Sequence, residues 1–458
     1  MTVRTLYRTL ALSSVCLLSS TVWAQSSGID TPADPKISAA LKQVSAEHVQ
    51  ATITKLVSFG TRSTLSAQDP ASIAAGHGIG AAREWIKSEF ERYAKECGGC
   101  LEVKLDSFIQ PPVERVKEPT PLTNVYAVLK GTDPQAHIVL VTGHYDSRNT
   151  DNFDTSKDAP GANDDASGTA VSLECARVLS KLKFPQTIIF LSVPGEEQGL
   201  LGSKHLAQIA KQEGWRLDAV LNNDIVGGNK GPGQDPHVVR VFSEGVPRQT
   251  DEQHLRLIEG LGGENDSTSR ELARYVAQTA SNYHTSVQPM MIYRLDRFLR
   301  GGDHSSFNEQ GFTAVRFTEY REDFTRQHQD VRTENGIHYG DTLDHVDFDY
   351  VANVARVNAA TLAALAAAPS APTNVKIDVM DLDNDTTLSW DASPGASDYE
   401  VIWRATSSAQ WEHAQKVGAV TKATVKVSKD NVIFGVRALD QAGHVSLPTT
   451  PVPDMRRR

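Results

Sequence analysis

Thr187-Ile188-Ile189-Phe190-Leu191-Ser192-Val193-Pro194-Gly195-Glu196-Glu197-Gln198-Gly199 runs from a nearly continuous apolar stretch straight into two adjacent carboxylates. The first seven residues read as a strand buried on both faces, because they are β-branched or aliphatic with almost no polar alternation. Two acidic side chains at the end of such a strand are costly unless something pairs with them. A divalent metal accounts for both: one carboxylate serves as ligand while its neighbour, pointing elsewhere, takes a proton from water. A solvated acidic loop is the plain alternative, and Glu196-Glu197 alone does not exclude it. The rest of the chain has to decide.

Outward from this strand the pattern alternates. A helix over 166–182 and a strand over 137–142 precede it; a helix over 202–213 and a strand over 219–223 follow. Amphipathic spacing marks helices over 37–59 and 80–94, and strand-like runs lie at 101–108 and 123–129. Further on come a helix over 270–285, a strand over 314–318 and an Ala-rich helix over 350–368. This predicts an α/β domain over 36–368, with a mixed, mostly parallel sheet flanked by helices. Pro369-Ser370-Ala371-Pro372 then reads as a linker over 369–372. Beyond it, short alternating strands near 375–378, 386–390, 399–405, 424–427 and 433–439 predict a small all-β sandwich over 373–458.

Composition narrows the function classes. The chain has 458 residues and a formal net charge of -10, with no basic tract beyond Arg456-Arg457-Arg458, so nucleic acid is not expected as a partner. Residues 1–24 carry Arg4 and Arg8, an apolar run over 10–18, and Val22-Trp23-Ala24. That is the pattern of an export signal cut after Ala24, its apolar run too short to span a bilayer, and it predicts a periplasmic or extracellular protein. Cys16 leaves with the signal, and 25–35 is a polar leader. In an exported chain Cys97-Gly98-Gly99-Cys100 reads as a small structural disulfide, since neither a redox context nor a second Cys pair for zinc accompanies it. Cys175 falls mid-helix and reads as a buried thiol.

Three more motifs accompany Glu196-Glu197. Gly143-His144-Tyr145-Asp146-Ser147 follows the strand at 137–142; in His-x-Asp the imidazole can bind a metal while the carboxylate fixes its tautomer. Gly161-Ala162-Asn163-Asp164-Asp165-Ala166-Ser167-Gly168 opens a helix: Asp165 suits the N-cap, and Asp164 is left to reach outward. Asn222-Asn223-Asp224 ends another aliphatic strand. His144, Glu197 and Asp224 therefore lie just past the carboxyl ends of strands, where open α/β sheets bind ligands. Imidazole and carboxylates without thiolate suit a catalytic Zn²⁺.

With Glu196-Glu197-Gln198-Gly199-Leu200-Leu201-Gly202-Ser203 and Gly302-Asp303-His304-Ser305-Ser306-Phe307 added, the ordered set resembles the co-catalytic zinc aminopeptidases related to bacterial leucyl aminopeptidase and glutamate carboxypeptidase, over roughly 36–368. The resemblance implies two Zn²⁺ bridged by Asp164, with His144 and Asp224 on one, Glu197 and a second His on the other, Glu196 as general base and Asp146 orienting His144. It implies hydrolysis of N-terminal peptide bonds.

The second His departs from the family pattern. Tyr283-His284-Thr285 matches in letters but precedes Asp303-His304 and is set aside. His328, on the first loop past the strand at 314–318, is preferred; His338, beside Asp341-Thr342-Leu343-Asp344, is the alternative, with His345 behind it. Where some relatives place a Tyr as oxyanion stabiliser, this chain has Arg297-Phe298-Leu299-Arg300. Arg300 would polarise a carbonyl or hold a substrate carboxylate, against a plain surface ion pair. Three alternatives stay open: a single-zinc glutaminyl cyclase, a carboxypeptidase for acidic C-termini using Arg294, Arg297 and Arg300, and a binding ectodomain without chemistry. The C-terminal stretch resembles a fibronectin type III domain through Pro372, Leu388-Ser389-Trp390, Tyr399-Glu400-Val401 and Phe434-Gly435-Val436-Arg437-Ala438; its partner is unknown.

Overall fold

A computed structural model describes residues 29–228 and 230–454. The export signal expected over 1–24 and the first residues of the leader lie outside the described residues.

Eight strands form one sheet: β1 (Leu101–Gln110), β2 (Thr120–Leu129), β3 (Ile138–His144), β4 (Thr187–Val193), β5 (Leu217–Asn223), β6 (Val238–Ser243), β7 (Gln288–Ile292) and β8 (Ala314–Glu319), in the order β1-β2-β4-β3-β5-β8-β6-β7. The four central strands, β4, β3, β5 and β8, run parallel. β2 lies antiparallel to β4 on one side and β6 antiparallel to β8 on the other. The central strands are the aliphatic runs of the sequence, as expected where helices cover both faces.

Side chains alternate between those faces. Val139, Val141, Ile188 and Phe190 pack into one core with the helices Ala46–Val57, Gly78–Glu96, Ala166–Leu179, Thr268–Asn282 and Phe348–Ala367. Leu140, Ile189, Leu191 and Val193 point the other way, onto Leu206 and Ala207 of the helix Leu201–Gln212 and Phe307 of the helix Asp303–Glu309. Two glycines let β3 lie close to the helix that follows it. A Cβ at Gly143 would fall 2.3 Å from Gly168 C, and one at Gly168 would fall 2.1 Å from Asn223 O. This contact sets the height of His144 against the helix start carrying Asp165.

The sequence reading missed several elements. The helix expected over 37–59 is two, Pro35–Leu41 and Ala46–Val57, because the Ser45 side chain caps the second by accepting the His48 N–H. β6 and β7 lie at the far edge of the sheet, where Pro289 is tolerated. The helix Glu252–Leu261 has no fully buried residue, and a short hairpin, β9 (Arg332–Glu334) with β10 (Ile337–Tyr339), stands on the surface.

Beyond residue 372, strands β11 (Thr373–Ile377), β12 (Thr386–Asp391), β13 (Asp398–Ala405), β14 (His413–Gly418), β15 (Lys422–Val425), β16 (Val432–Leu439) and β17 (Val452–Pro453) form two small sheets, β15-β12-β11-β17 and β14-β13-β16. They bury Leu388, Trp390, Val401, Phe434 and Val436 in a shared core. This unit is fastened to the larger one. Trp411 Nε1 donates to Glu271 at 2.8 Å, Tyr275 Oη to Val445 O at 2.9 Å, and Arg404 pairs with Asp266. Leu439 and Val445 join the core of the larger unit. Cys97 and Cys100 are disulfide-bonded and Cys175 is a buried free thiol. Among the described residues no helix is long and apolar enough to cross a membrane.

Candidate metal centre

Each central parallel strand delivers one residue to the same edge of the sheet. His144 is the last residue of β3, Glu197 follows the turn after β4, Asp224 comes directly after β5, and His328 sits on the loop beyond β8. Asp164 enters from the loop between β3 and the helix Ala166–Leu179. His144 Nε2 lies 3.1 Å from Asp164 Oδ1 and 4.0 Å from Asp224 Oδ1. His328 Nε2 lies 2.9 Å from Asp164 Oδ2 and 2.9 Å from Glu197 Oε1. Two donor groups result, His144-Asp164-Asp224 and Asp164-Glu197-His328, with the donor atoms in each within 4.8 Å of one another. Asp164 belongs to both.

The donor set fits divalent metal. His144 Nε2, His328 Nε2 and Glu197 Oε1 are buried and close to partners, yet none makes an aligned hydrogen bond. Lone-pair atoms that converge without hydrogen bonds suit a cation between them. The electrostatics agree. Burial lowers the basicity of His328, but the Glu197 and Asp164 carboxylates outweigh it and hold the imidazole up at about 10. Burial raises the Asp164 carboxyl, but His144 and His328 overcome that and hold it well below the ordinary range. A cage negative enough to keep protons on imidazoles is one in which a dication displaces them.

Several residues hold the cage in shape. The Asp146 carboxylate lies 3.3 Å from His144 Nδ1, accepts the Thr64 hydroxyl at 2.8 Å, and accepts the backbone N–H groups of Glu196 at 3.3 Å and Glu197 at 3.2 Å. One carboxylate thus sets the imidazole and the Glu196-Glu197 turn together. Asp165 caps its helix through Gly168 N at 2.9 Å and also accepts His144 N at 2.9 Å, so the capping carboxylate ties the helix to β3. Asp341 accepts Asn163 N at 2.8 Å and Asp164 N at 2.7 Å, fixing the bridging loop. Burial pushes the Asp341 carboxyl up to about 7. Arg316, fully buried in β8, places Nη2 2.8 Å from Asp224 Oδ1 and Nη1 3.1 Å from Asp296 Oδ2.

Glu196 lines the cleft above these groups, a space of about 400 Å³ bounded also by Arg115, Arg148, Arg297, Arg300 and Gln327. Burial raises its carboxyl well above the usual range; the charges of Asp224, Glu197 and Asp303 push the same way, while His144 pulls it down. A partly exposed carboxyl of raised basicity next to a metal cage is equipped to accept and return a proton.

The structure keeps the alternatives to His328 elsewhere. His338 lies on the exposed hairpin with Nδ1 2.9 Å from Thr333 Oγ1. His345 pairs with Asp323 at 3.0 Å, and His284 follows the end of the helix Thr268–Asn282. Arg300 combines its two readings: it lines the cleft and pairs with Glu322 at 3.1 Å. Sequence reasoning missed Arg316, Asp341 and Thr64. Arg316 had a signal, the one charge within the otherwise uncharged run 314–318; Thr64 had none.

Residues 124–362 match the model of peptidase family M28. The chain is 47% identical to a probable zinc metalloprotease of Pyrenophora tritici-repentis, over 93% of this chain and 88% of that one. It is 46% identical to a probable zinc metalloprotease of Leptosphaeria maculans, over 93% and 99% respectively. Its fold resembles that of the LapA aminopeptidase of Legionella pneumophila, with a TM-score of 0.51 and 23% identity over 72% of this chain and 75% of that one.

Proposed function

The chain belongs to peptidase family M28 and is a zinc metallopeptidase, and from that premise we propose that it is an exported aminopeptidase that uses two zinc ions and Glu196 as general base. The observation that carries this reading is Asp164, whose two carboxylate oxygens face two different imidazoles, each in its own donor group. His144 and Asp224 would hold one zinc, Glu197 and His328 the other, and Asp164 both. Bound zinc supplies Lewis acidity, polarising a carbonyl and making water a stronger acid. Glu196 takes the proton of the attacking water and returns it to the leaving amine. Asp146 keeps His144 in register with the Glu196-Glu197 turn while this happens.

Exopeptidase action is supported by the cleft, whose roughly 400 Å³ suits one residue better than a long chain. Its acidic floor suits a substrate ammonium. Export rests on the pattern of residues 1–24, and the fibronectin type III reading of 373–458 rests on its strand motifs. A carboxypeptidase is the second reading, favoured by the four arginines on the cleft wall.

The test is metal analysis of the purified mature protein together with aminoacyl-anilides and N-acetylated peptides, with and without chelator. Two zincs per chain and chelator-sensitive release from free N-termini alone are expected. Cleavage of acetylated peptides from the C-terminus would favour the carboxypeptidase, and one metal per chain would remove the second site.

A further inference from the structure

Next to the metal cleft, and sharing only Arg297 and Arg300 with it, lies a second recess of about 460 Å³. Four guanidiniums line it, from Arg240, Arg294, Arg297 and Arg300, against a single carboxylate, Glu322. Glu322 is already shared three ways: Arg240 at 2.9 Å, Arg297 at 2.9 Å and Arg300 at 3.1 Å. Arg294 pairs with no carboxylate among the described residues; its guanidinium lies 4.6 Å from the centre of the Phe298 ring. Phe298 and Phe324, 75% and 65% exposed, add apolar surface to the same recess.

This arrangement costs stability. Arg297 has a second carboxylate in Asp296, at 3.0 Å, so four guanidiniums still face two acidic groups; like charges in excess of their counter-ions repel, and large exposed aromatics beside them leave apolar area in water. Both costs are offset by a ligand that brings negative charge beside an apolar body. Guanidinium forks match carboxylate geometry, and stacking Arg294 on Phe298 leaves its N–H edge free to donate. The metal cleft is itself roomy enough for the residue being removed, so the recess takes the next part of the substrate.

We propose that this recess is a carboxylate-reading subsite, which selects short peptides whose segment beyond the scissile bond carries an anionic group next to an apolar side chain. The inference rests on the peptidase reading above. The carboxylate has two possible sources, an acidic side chain or the free C-terminus of a short peptide.

The experiment uses the zinc-loaded protein and three peptides with a common N-terminal Leu and a downstream Phe: one with a free C-terminus and no acidic side chain, one amidated with a downstream Glu, and one amidated and neutral. Cleavage is compared as kcat/KM, and binding is measured by calorimetry on the Glu196→Gln protein. A carboxylated peptide should be preferred over the neutral one by about tenfold or more, with the first two peptides telling C-terminus from side chain. In the Arg294→Gln/Arg300→Gln double variant that ratio should fall towards one, and Arg294→Lys/Arg300→Lys should restore part of it. Equal kcat/KM and equal affinity for all three peptides in the wild-type sequence would overturn the subsite. If no peptide is cut, the peptidase reading fails, and the calorimetric ratio still decides for or against the recess. A double variant that fails to fold, seen by circular dichroism, is replaced by Arg294→Gln alone.

Discussion

The Arg316 guanidinium approaches Asp224 Oδ1 to 2.8 Å with both side chains closed off from water, so one of the proposed zinc ligands is already held by a fixed cation. Arg316 also holds Asp296. It links a ligand to the loop before the helix Asp303–Glu309, and it competes for the charge a metal would use.

Replacing that cation leaves the buried Asp224 carboxylate without a guanidinium and Asp296 with that of Arg297 alone, at 3.0 Å. Arg316→Met should lower stability by about 3–5 kcal/mol in metal-free buffer, the range for breaking a buried ion pair. Added zinc should recover part of the loss, because Asp224 regains a cation. Melting curves with chelator and with zinc check this; an equal loss in both would mean that Arg316 acts on packing alone.

Asp146→Asn keeps the size of the side chain but removes the charge that serves His144, Glu196 and Glu197 together. Zinc affinity should fall by about 10–100-fold, the effect of losing a group that orients a metal-bound imidazole. Competition against a fluorescent zinc indicator measures it. An unchanged affinity would show that the Asp146 backbone carbonyl, 3.1 Å from His144 Nδ1, orients the ring by itself.

Glu196→Gln and His328→Ala should separate chemistry from metal. The first should keep its zinc and lose about 10²–10⁴-fold in turnover, as for removal of a general base. The second should lose zinc from the Glu197 side. Metal content and kcat on the same preparations decide; near-normal turnover in Glu196→Gln would mean that another group moves the proton.

His444 makes stability depend on pH far from the metal centre. It lies 3.0 Å from Asp34 and 2.8 Å from Asp440, joining the first helix to the C-terminal sheets. Burial lowers its basicity, but the two carboxylates overcome this and raise it above the ordinary 6.5. A raised histidine contributes fully below about 6.5, and the contribution fades as pH climbs through its elevated value. The difference in melting temperature between wild type and His444→Gln should therefore shrink as pH rises from 6.5. A difference that stays constant over that range would remove the ion pairs as its cause.

Much of this architecture is legible in the chain. The central strands are visible because burial on both faces forces aliphatic runs, and the residues past their ends are visible because charge there needs a partner. β7 escapes because an edge strand tolerates Pro289, and β6 because Arg240 interrupts its apolar run. The cage itself is only partly legible. His144, Asp164, Glu197 and Asp224 announce themselves by their motifs, whereas Thr64, Arg316 and Asp341 reach Asp146, Asp224 and Asp164 across 82, 92 and 177 positions of sequence, which no local pattern encodes.

His144, Glu197 and Asp224 are anchored at the rim of the sheet; His328, at φ +57°, hangs from a loop that is tied to Asp164 by its neighbour Gln327 at 3.0 Å. The two halves of the cage thus have different dependants. A cation at Asp224 answers to the interior of the molecule through Arg316, and its departure is felt there; one at His328 shares the buried Asp164 and Glu197 but owes its imidazole to a single strap of chain. Chelation should strip the protein in two stages, the strap releasing its ion first.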